Sequence, residues 1–250
     1  MKFKFIVILL VMINLFGCDD SGSVKSSNSE QVTQLDQRLV LIEVAGLGNI
    51  KGSLSKLIKQ RIQVLDVNLE TGEYHPSQMS VEQSFHYDSD SWRTLYEYED
   101  SAQIKQRENE LPAYAVTDSQ NRVSRIVIPI KAQGKNGLIY GYLALDTSNY
   151  TIAQLGFYRH SETKGLGAEI TDNHLWLEQF NQQPLFKQGK PSLRVIQQSS
   201  PTQDGYTVDG ISGATYTSKG VEHAVNFWAG SVGFGQFLET FRHNTLPETG

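Results

Sequence analysis

The second half of the chain shows the most regular alternation of apolar and polar residues. Three strand-like runs follow one another, Val123 to Ile130, Gly137 to Asp146 and Tyr150 to Tyr158, separated by the turn-like segments AQGKNG and DTSN. Connections this short favour an antiparallel meander. Ahead of the meander, Leu35, Leu39, Leu41, Ile42 and Val44 predict a helix that ends near Gly46 and Gly48. Ser53 to Arg61 predicts a second short helix, and Ile62 to Leu69 a strand running into a turn at Thr71 and Gly72. Residues 76–100 are polar with scattered aromatics and predict surface loop plus part of a helix. The charged stretch Glu99 to Glu110 predicts a solvated helix ended by Pro112. Beyond the meander, Trp176 to Phe180 predicts a helical turn and Leu193 to Gln197 a short strand. Lys219 to Trp228 predicts a helix with Val221, Ala224, Val225 and Trp228 on one face. Phe227, Trp228, Phe234 and Phe237 are expected in the core, with a partner-binding face as the alternative. No repeat of fixed period interrupts this order. The predicted fold class is α+β, a single domain with an antiparallel sheet and flanking helices, preceded by a membrane-anchoring N-terminus.

That N-terminus breaks the pattern. Lys2 and Lys4 precede an apolar run from Phe5 to Phe16, shorter than the roughly 20 residues a membrane span needs and suited to a signal peptide. Leu15, Phe16, Gly17 and Cys18 resemble a bacterial lipobox, which would make Cys18 a lipidated N-terminus after cleavage, and Asp19 resembles the retention signal of inner-membrane lipoproteins. An uncleaved short anchor and an ordinary signal peptide are the alternatives. In each case the remainder of the chain is exported, and the expected location is the bacterial inner membrane with the domain facing the periplasm. Residues 19–34, rich in Ser, Asp, Asn and Gln, read as a flexible tether, residues 35–246 as the folded domain and residues 247–250 as a tail.

Composition narrows the function classes. The 250 residues can bury a substantial core, and the single cysteine leaves the exported domain without an intrachain disulfide. A formal charge of −5 with no Lys/Arg block argues against nucleic acid as a partner. His160, His174, His223 and His243 have spacings that fit no standard metal site; they are read as solvent or packing residues, and no metal ligand is assigned.

Two glycine-centred segments carry candidate chemistry. After the third meander strand comes HSETKGLGAE, in which Gly165 and Gly167 would let backbone lie against a flat ligand, with Glu162 and Thr163 at its edge and Leu166 offering apolar surface. A tight connecting loop is the alternative. Further on, DGISGATYTS places Ser212, Thr215, Thr217 and Ser218 beside Gly210 and Gly213 where a turn becomes a helix N-terminus, a location suited to phosphate. Simple capping by Ser212 or Thr215 is the alternative, although a cap needs only one hydroxyl.

DGISGATYTS followed by KGVEHAVNFW resembles the flavinylation motif of the C subunit of the sodium-translocating NADH:quinone reductase and of the related G subunit of the Rnf complex. In that family the last hydroxyl of the pattern carries FMN through a phosphodiester bond, which implies Thr217 as the acceptor, with Ser212, Gly213, Ala214 and Thr215 around the cofactor. VLIEVAGL, VNLETGEY, SETKGLGAE and VGFGQFL extend the resemblance from about Leu39 to Leu246 and favour the reductase branch over the Rnf branch. By the same resemblance, Glu162, Thr163, Gly165, Leu166 and Gly167 form a flavin-contacting loop. Three features depart from the pattern: Lys164 stands for a proline, Ile139 for a tryptophan that could contact a neighbouring subunit, and the lipobox for a longer transmembrane helix.

The resemblance implies a redox subunit of an NADH:ubiquinone reductase (Na+-transporting), working with the other pump subunits at the membrane and relaying single electrons through FMN. It also implies a separate flavin transferase that uses FAD and a divalent metal, transfers FMN to Thr217 and releases AMP. Asp209 and Lys219 flank the acceptor as recognition or packing residues. A lipid-anchored flavoprotein shuttle for another extracytoplasmic redox system is the alternative function, and a non-redox lipoprotein a third.

Overall fold

The computed structural model describes residues 32–197 and 205–245. The expected anchor segment with Cys18, nearly all of the tether, and the tail lie outside the described residues.

Along the chain the elements are β1 (Thr33–Gln34), α1 (Gln37–Val44), α2 (Leu54–Arg61), β2 (Ile62–Asn68), β3 (Tyr74–Pro76), α3 (Val81–Ser84), β4 (Trp92–Thr94), β5 (Gln106–Glu108) and β6 (Glu110–Thr117). The meander strands β7 (Val123–Gln133), β8 (Leu138–Asp146) and β9 (Ile152–His160) follow, then α4 (Glu169–Asp172), α5 (His174–Glu178), β10 (Phe186–Lys187), β11 (Lys190–Pro191), β12 (Arg194–Ile196), β13 (Thr207–Asp209), α6 (Thr215–Ala229) and α7 (Gly235–Thr245). Seven strands form one antiparallel sheet in the order β1-β9-β8-β7-β6-β2-β3.

Alternation along the central strands feeds two cores, as the two-residue period of a strand requires. Ala113 and Ala115 of β6, Ile126, Ile128, Ile130 and Ala132 of β7, and Leu143 and Leu145 of β8 face the larger core, where α6 and α7 pack. Tyr114, Val127, Tyr142 and Ala144 face the other side, which α1 covers with Val40, Leu41 and Val44. The predicted stripe of α6 holds: Val221, Ala224, Val225 and Trp228 are all buried. Phe227, Phe234 and Phe237 join them in the core. Gly220 lets α6 cross the end of β7 closely, because a Cβ there would lie 2.6 Å from the Gln133 carbonyl oxygen.

The solvated helix expected over Glu99 to Glu110 is not formed; this stretch is a turn followed by β5 and the start of β6. Asp100 organises the turn, its carboxylate accepting the main-chain N–H groups of Ile104 and Lys105 at 2.9 and 2.8 Å. The charges that suggested a solvated face are partnered instead. Arg107, only 1% exposed, pairs with Glu70 at 2.5 Å, and Glu108 pairs with Lys131 at 2.7 Å. Pro112 lies within β6, opposite Asp66 of β2.

The fold class is corrected in one part. The α+β domain with its antiparallel sheet and flanking helices is present, but among the described residues no helix is long and apolar enough to cross a membrane. The longest described helix, α6, has 15 residues where a span needs about 20, and its apolar face is committed to the core. The membrane-anchoring N-terminus therefore has no counterpart among the described elements, and the inner-membrane, periplasm-facing location that rested on it is set aside.

Candidate functional site

Strand direction brings three segments to one end of the sheet: the β7–β8 turn, the chain leaving β9, and the N-terminus of α6. Because the meander is antiparallel, the end of β7, the start of β8 and the end of β9 lie together there. Gly220 seats α6 against the same end.

Glu162 is the centre of the cluster. It is buried, and its carboxylate accepts the main-chain N–H of Asn136 at 2.9 Å on Oε1 and of Lys135 at 3.2 Å on Oε2. Oε2 also accepts a hydrogen bond from the Thr217 hydroxyl, itself 1% exposed on the first turn of α6. Gly134 and Gly167 permit this convergence. A Cβ on Gly134 would lie 2.7 Å from Glu162 Oε1, and one on Gly167 would lie 2.5 Å from Thr217 Oγ1 and 2.6 Å from Glu162 Oε2.

The remaining loop residues form the rim. Thr163, Gly165 and Leu166 are exposed, and Gly165 adopts φ +73°, the left-handed conformation that favours glycine. Asn136 ties the loop to the β7–β8 turn, its Nδ2 donating to the Ser161 carbonyl and to the Thr163 hydroxyl, both at 3.1 Å. On the opposite side Ser212 and Gly213 make an exposed turn, Ala214 is buried as the N-cap residue, and Thr215 is the exposed first residue of α6. A Cβ on Gly213 would lie 3.0 Å from Leu166 Cδ2, so loop and motif touch at the rim as well as at the buried pair.

Two expectations change here, the capping of α6 and the role of His160. Neither Ser212 nor Thr215 caps α6: its N-cap is Ala214, with no side-chain cap bond. The hydroxyl that shapes the approach is that of Ser218, which accepts the Ile211 N–H at 2.9 Å from within the helix. Ile139, which stands in place of the family's tryptophan, is fully buried in the larger core. His160 is not merely a packing residue. It is buried, its Nδ1 accepts the Glu162 N–H at 3.0 Å, and its Nε2 lies 3.0 Å from the Thr171 hydroxyl, so it anchors the start of the loop. Asn136 and Lys135 were readable only as turn residues, because Asn136 meets Glu162 across 26 positions of sequence. Of the two flanking residues, Lys219 pairs with Glu222 at 2.9 Å, and the Asp209 carbonyl accepts the Trp176 indole N–H at 2.7 Å.

Burial lowers the pKa of His160 below its ordinary 6.5, against the opposing pull of Glu162 and Asp172. Burial also lowers that of His223, with Glu222 opposing the shift and Lys219 reinforcing it. Both shifts have the same sign. As pH falls through about 6.5 the unfolded chain takes up protons that the folded state accepts only at lower pH. Thermal unfolding midpoints are therefore expected to fall as pH drops below 6.5, and replacing His160 by glutamine should flatten that dependence.

A family model described as an FMN-binding domain matches residues 134–230, a span containing the β7–β8 turn, the Glu162 loop and α6. The C subunit of the Na(+)-translocating NADH-quinone reductase of Yersinia pestis is 32% identical over 248 residues, covering 96% of this chain and 92% of that protein. Its counterpart in Vibrio alginolyticus is 33% identical over 215 residues, covering 85% of this chain and 83% of that protein. The crystal structure of Shewanella oneidensis NqrC superposes with a TM-score of 0.73 at 29% identity, covering 83% of this chain and 96% of that one. The C subunit from Parabacteroides distasonis superposes with a TM-score of 0.56 at 26% identity, covering 81% and 90%. With identity of this level sustained over nearly its whole length, the chain belongs to the family of the C subunit of the Na(+)-translocating NADH-quinone reductase.

Proposed function

We propose that Thr217 is the residue to which FMN is covalently joined, through a phosphodiester at Oγ1. The chain is an FMN-carrying electron-relay subunit of a Na(+)-translocating NADH-quinone reductase and associates with the other subunits of that complex. One observation carries the choice of residue. Of the motif hydroxyls, Ser212 and Thr215 face solvent and Ser218 is committed to the Ile211 N–H, whereas Thr217 meets the glycine loop through Glu162.

The surrounding residues fit such a group. Thr217 sits in the first turn of a 15-residue helix, where the macrodipole favours a phosphate. Gly167 of the glycine loop packs directly on it, since a Cβ there would lie 2.5 Å from Thr217 Oγ1. Leu166 and Tyr216, 42% and 70% exposed, offer apolar and aromatic surface at the rim for a flat ring. Lys135 adds positive charge beside them, its Nζ 4.7 Å from the Tyr216 ring centroid. Bound FMN supplies single-electron transfer; the loop and rim residues orient it and limit its contact with water. A flavin transferase using FAD and a divalent metal makes the attachment.

The test is coexpression with a flavin transferase followed by denaturing electrophoresis. The expected result is a band that fluoresces as flavin after denaturation, and a dark band would rule the covalent cofactor out. Gly167→Ala should reduce the adduct at least about tenfold without unfolding the domain, because its Cβ would wedge between Thr217 Oγ1 and Glu162 Oε2. An undiminished yield in that variant would show that the loop and the acceptor need not meet.

A further inference from the structure

A threonine hydroxyl is a weak nucleophile until its proton has an acceptor. In this chain the Thr217 hydroxyl already donates to Glu162 Oε2, within a pair 1% and 5% exposed. The carboxylate is oriented from both sides, by Asn136 N–H on Oε1 and Lys135 N–H on Oε2, while His160 Nδ1 fixes its main chain. Every one of these side-chain contacts is a donor to Glu162, a set that an ionised carboxylate satisfies. The glycine main chain at residues 134 and 167 packs directly on the two carboxylate oxygens and keeps water from them.

We propose that Glu162 is the proton acceptor for the attachment of flavin to Thr217, and that it keeps this proton afterwards. The inference rests on the reading of Thr217 as the attachment point. In the step, the Thr217 O–H bond breaks and its proton passes to Glu162 Oε2. Oγ1 forms a bond to the FMN-side phosphorus of FAD, the phosphoanhydride bond breaks, and AMP leaves with the bonding electron pair. The product places a phosphodiester anion on the oxygen that Glu162 touches. Two like charges this close, with little water between them, repel strongly. Retaining the proton removes one of those charges and gives Glu162 an O–H to donate to the new ester group.

The experiment mixes the purified chain with a flavin transferase, its divalent metal and FAD, and follows adduct formation by mass. Glu162→Gln is expected to slow attachment on the order of 100-fold, the span typical of a lost general base. Glu162→Asp, which keeps a carboxylate one methylene short, should recover part of that rate. An unchanged rate in the glutamine variant overturns the proposal. To guard against a folding defect in that variant, a second measurement uses the wild-type chain labelled with 13C-glutamate. The infrared difference between flavinylated and unmodified protein should show a carboxylic-acid carbonyl appearing, and its absence overturns the retained proton. A wild type that takes up no flavin overturns the Thr217 reading and this inference with it. A Thr217 adduct formed at full rate without the carboxylate overturns only the role of Glu162.

Discussion

Thr217→Ala is expected to abolish the covalent flavin and to leave a folded domain. The substitution removes the one motif hydroxyl that meets the glycine loop, and its neighbours cannot take over: Ser218 is buried and bonded to the Ile211 N–H, while Ser212 and Thr215 lie on the exposed side of the turn. The cost to the fold is modest. Glu162 loses one donor but keeps the main-chain N–H groups of Lys135 and Asn136, so the expected destabilisation is about 1–2 kcal/mol. Thr217→Ser keeps the hydroxyl and should retain the flavin. Fluorescence after denaturing electrophoresis, read beside a urea unfolding curve for each variant, separates loss of the acceptor from loss of the fold.

Trp228→Ala should cost the domain about 3–5 kcal/mol of stability. The side chain is 1% exposed and packs against Phe227 and Phe234, with ring centroids 5.2 and 6.0 Å away. Its indole N–H donates to the Lys131 carbonyl at 2.7 Å, so truncation opens a cavity and also strands an acceptor of β7. A loss of that size is a large fraction of the roughly 5–15 kcal/mol that a domain possesses. Because Trp228 and Thr217 share α6, the variant should also weaken the seating of the acceptor, and flavin attachment should fall together with the urea midpoint. Tyr98→Ala, at a position 86% exposed, is the control and should change the midpoint little.

The parts of the fold that are readable from sequence are those where one periodicity dominates. The meander β7 to β9 and the buried stripe of α6 follow directly from alternation at two residues and from spacing at three and four. The stretch from Glu99 to Glu110 misleads because charge ordinarily signals solvent. Arg107 and Glu108 are charged but partnered, by Glu70 and by Lys131, and the partners lie 37 and 23 positions away. Pairing at that range leaves no periodic trace.

The site divides in the same way. The glycines and hydroxyls of the two motifs stand out locally, since turns and helix starts demand particular residue types. What joins the motifs does not. Thr217 and Glu162 are 55 positions apart, and the amides that hold Glu162 belong to a turn whose residues signal only a change of direction. The capping role expected of Ser212 or Thr215 falls to no side chain, because Ser218 organises the turn from inside the helix. The close approach of Gly167 to the pair depends on how β9 delivers the loop to the end of the sheet, and only the assembled topology determines that.

Locating the flavin on the chain decides whether Thr217 is the acceptor. Trypsin releases residues 195–219 as one peptide containing every hydroxyl of the motif. Fragment-ion mass spectrometry of that peptide, after coexpression with a flavin transferase, should place a mass gain of FMN less water on Thr217. A gain on Ser212, Thr215 or Ser218, or an unmodified peptide, would refute that assignment.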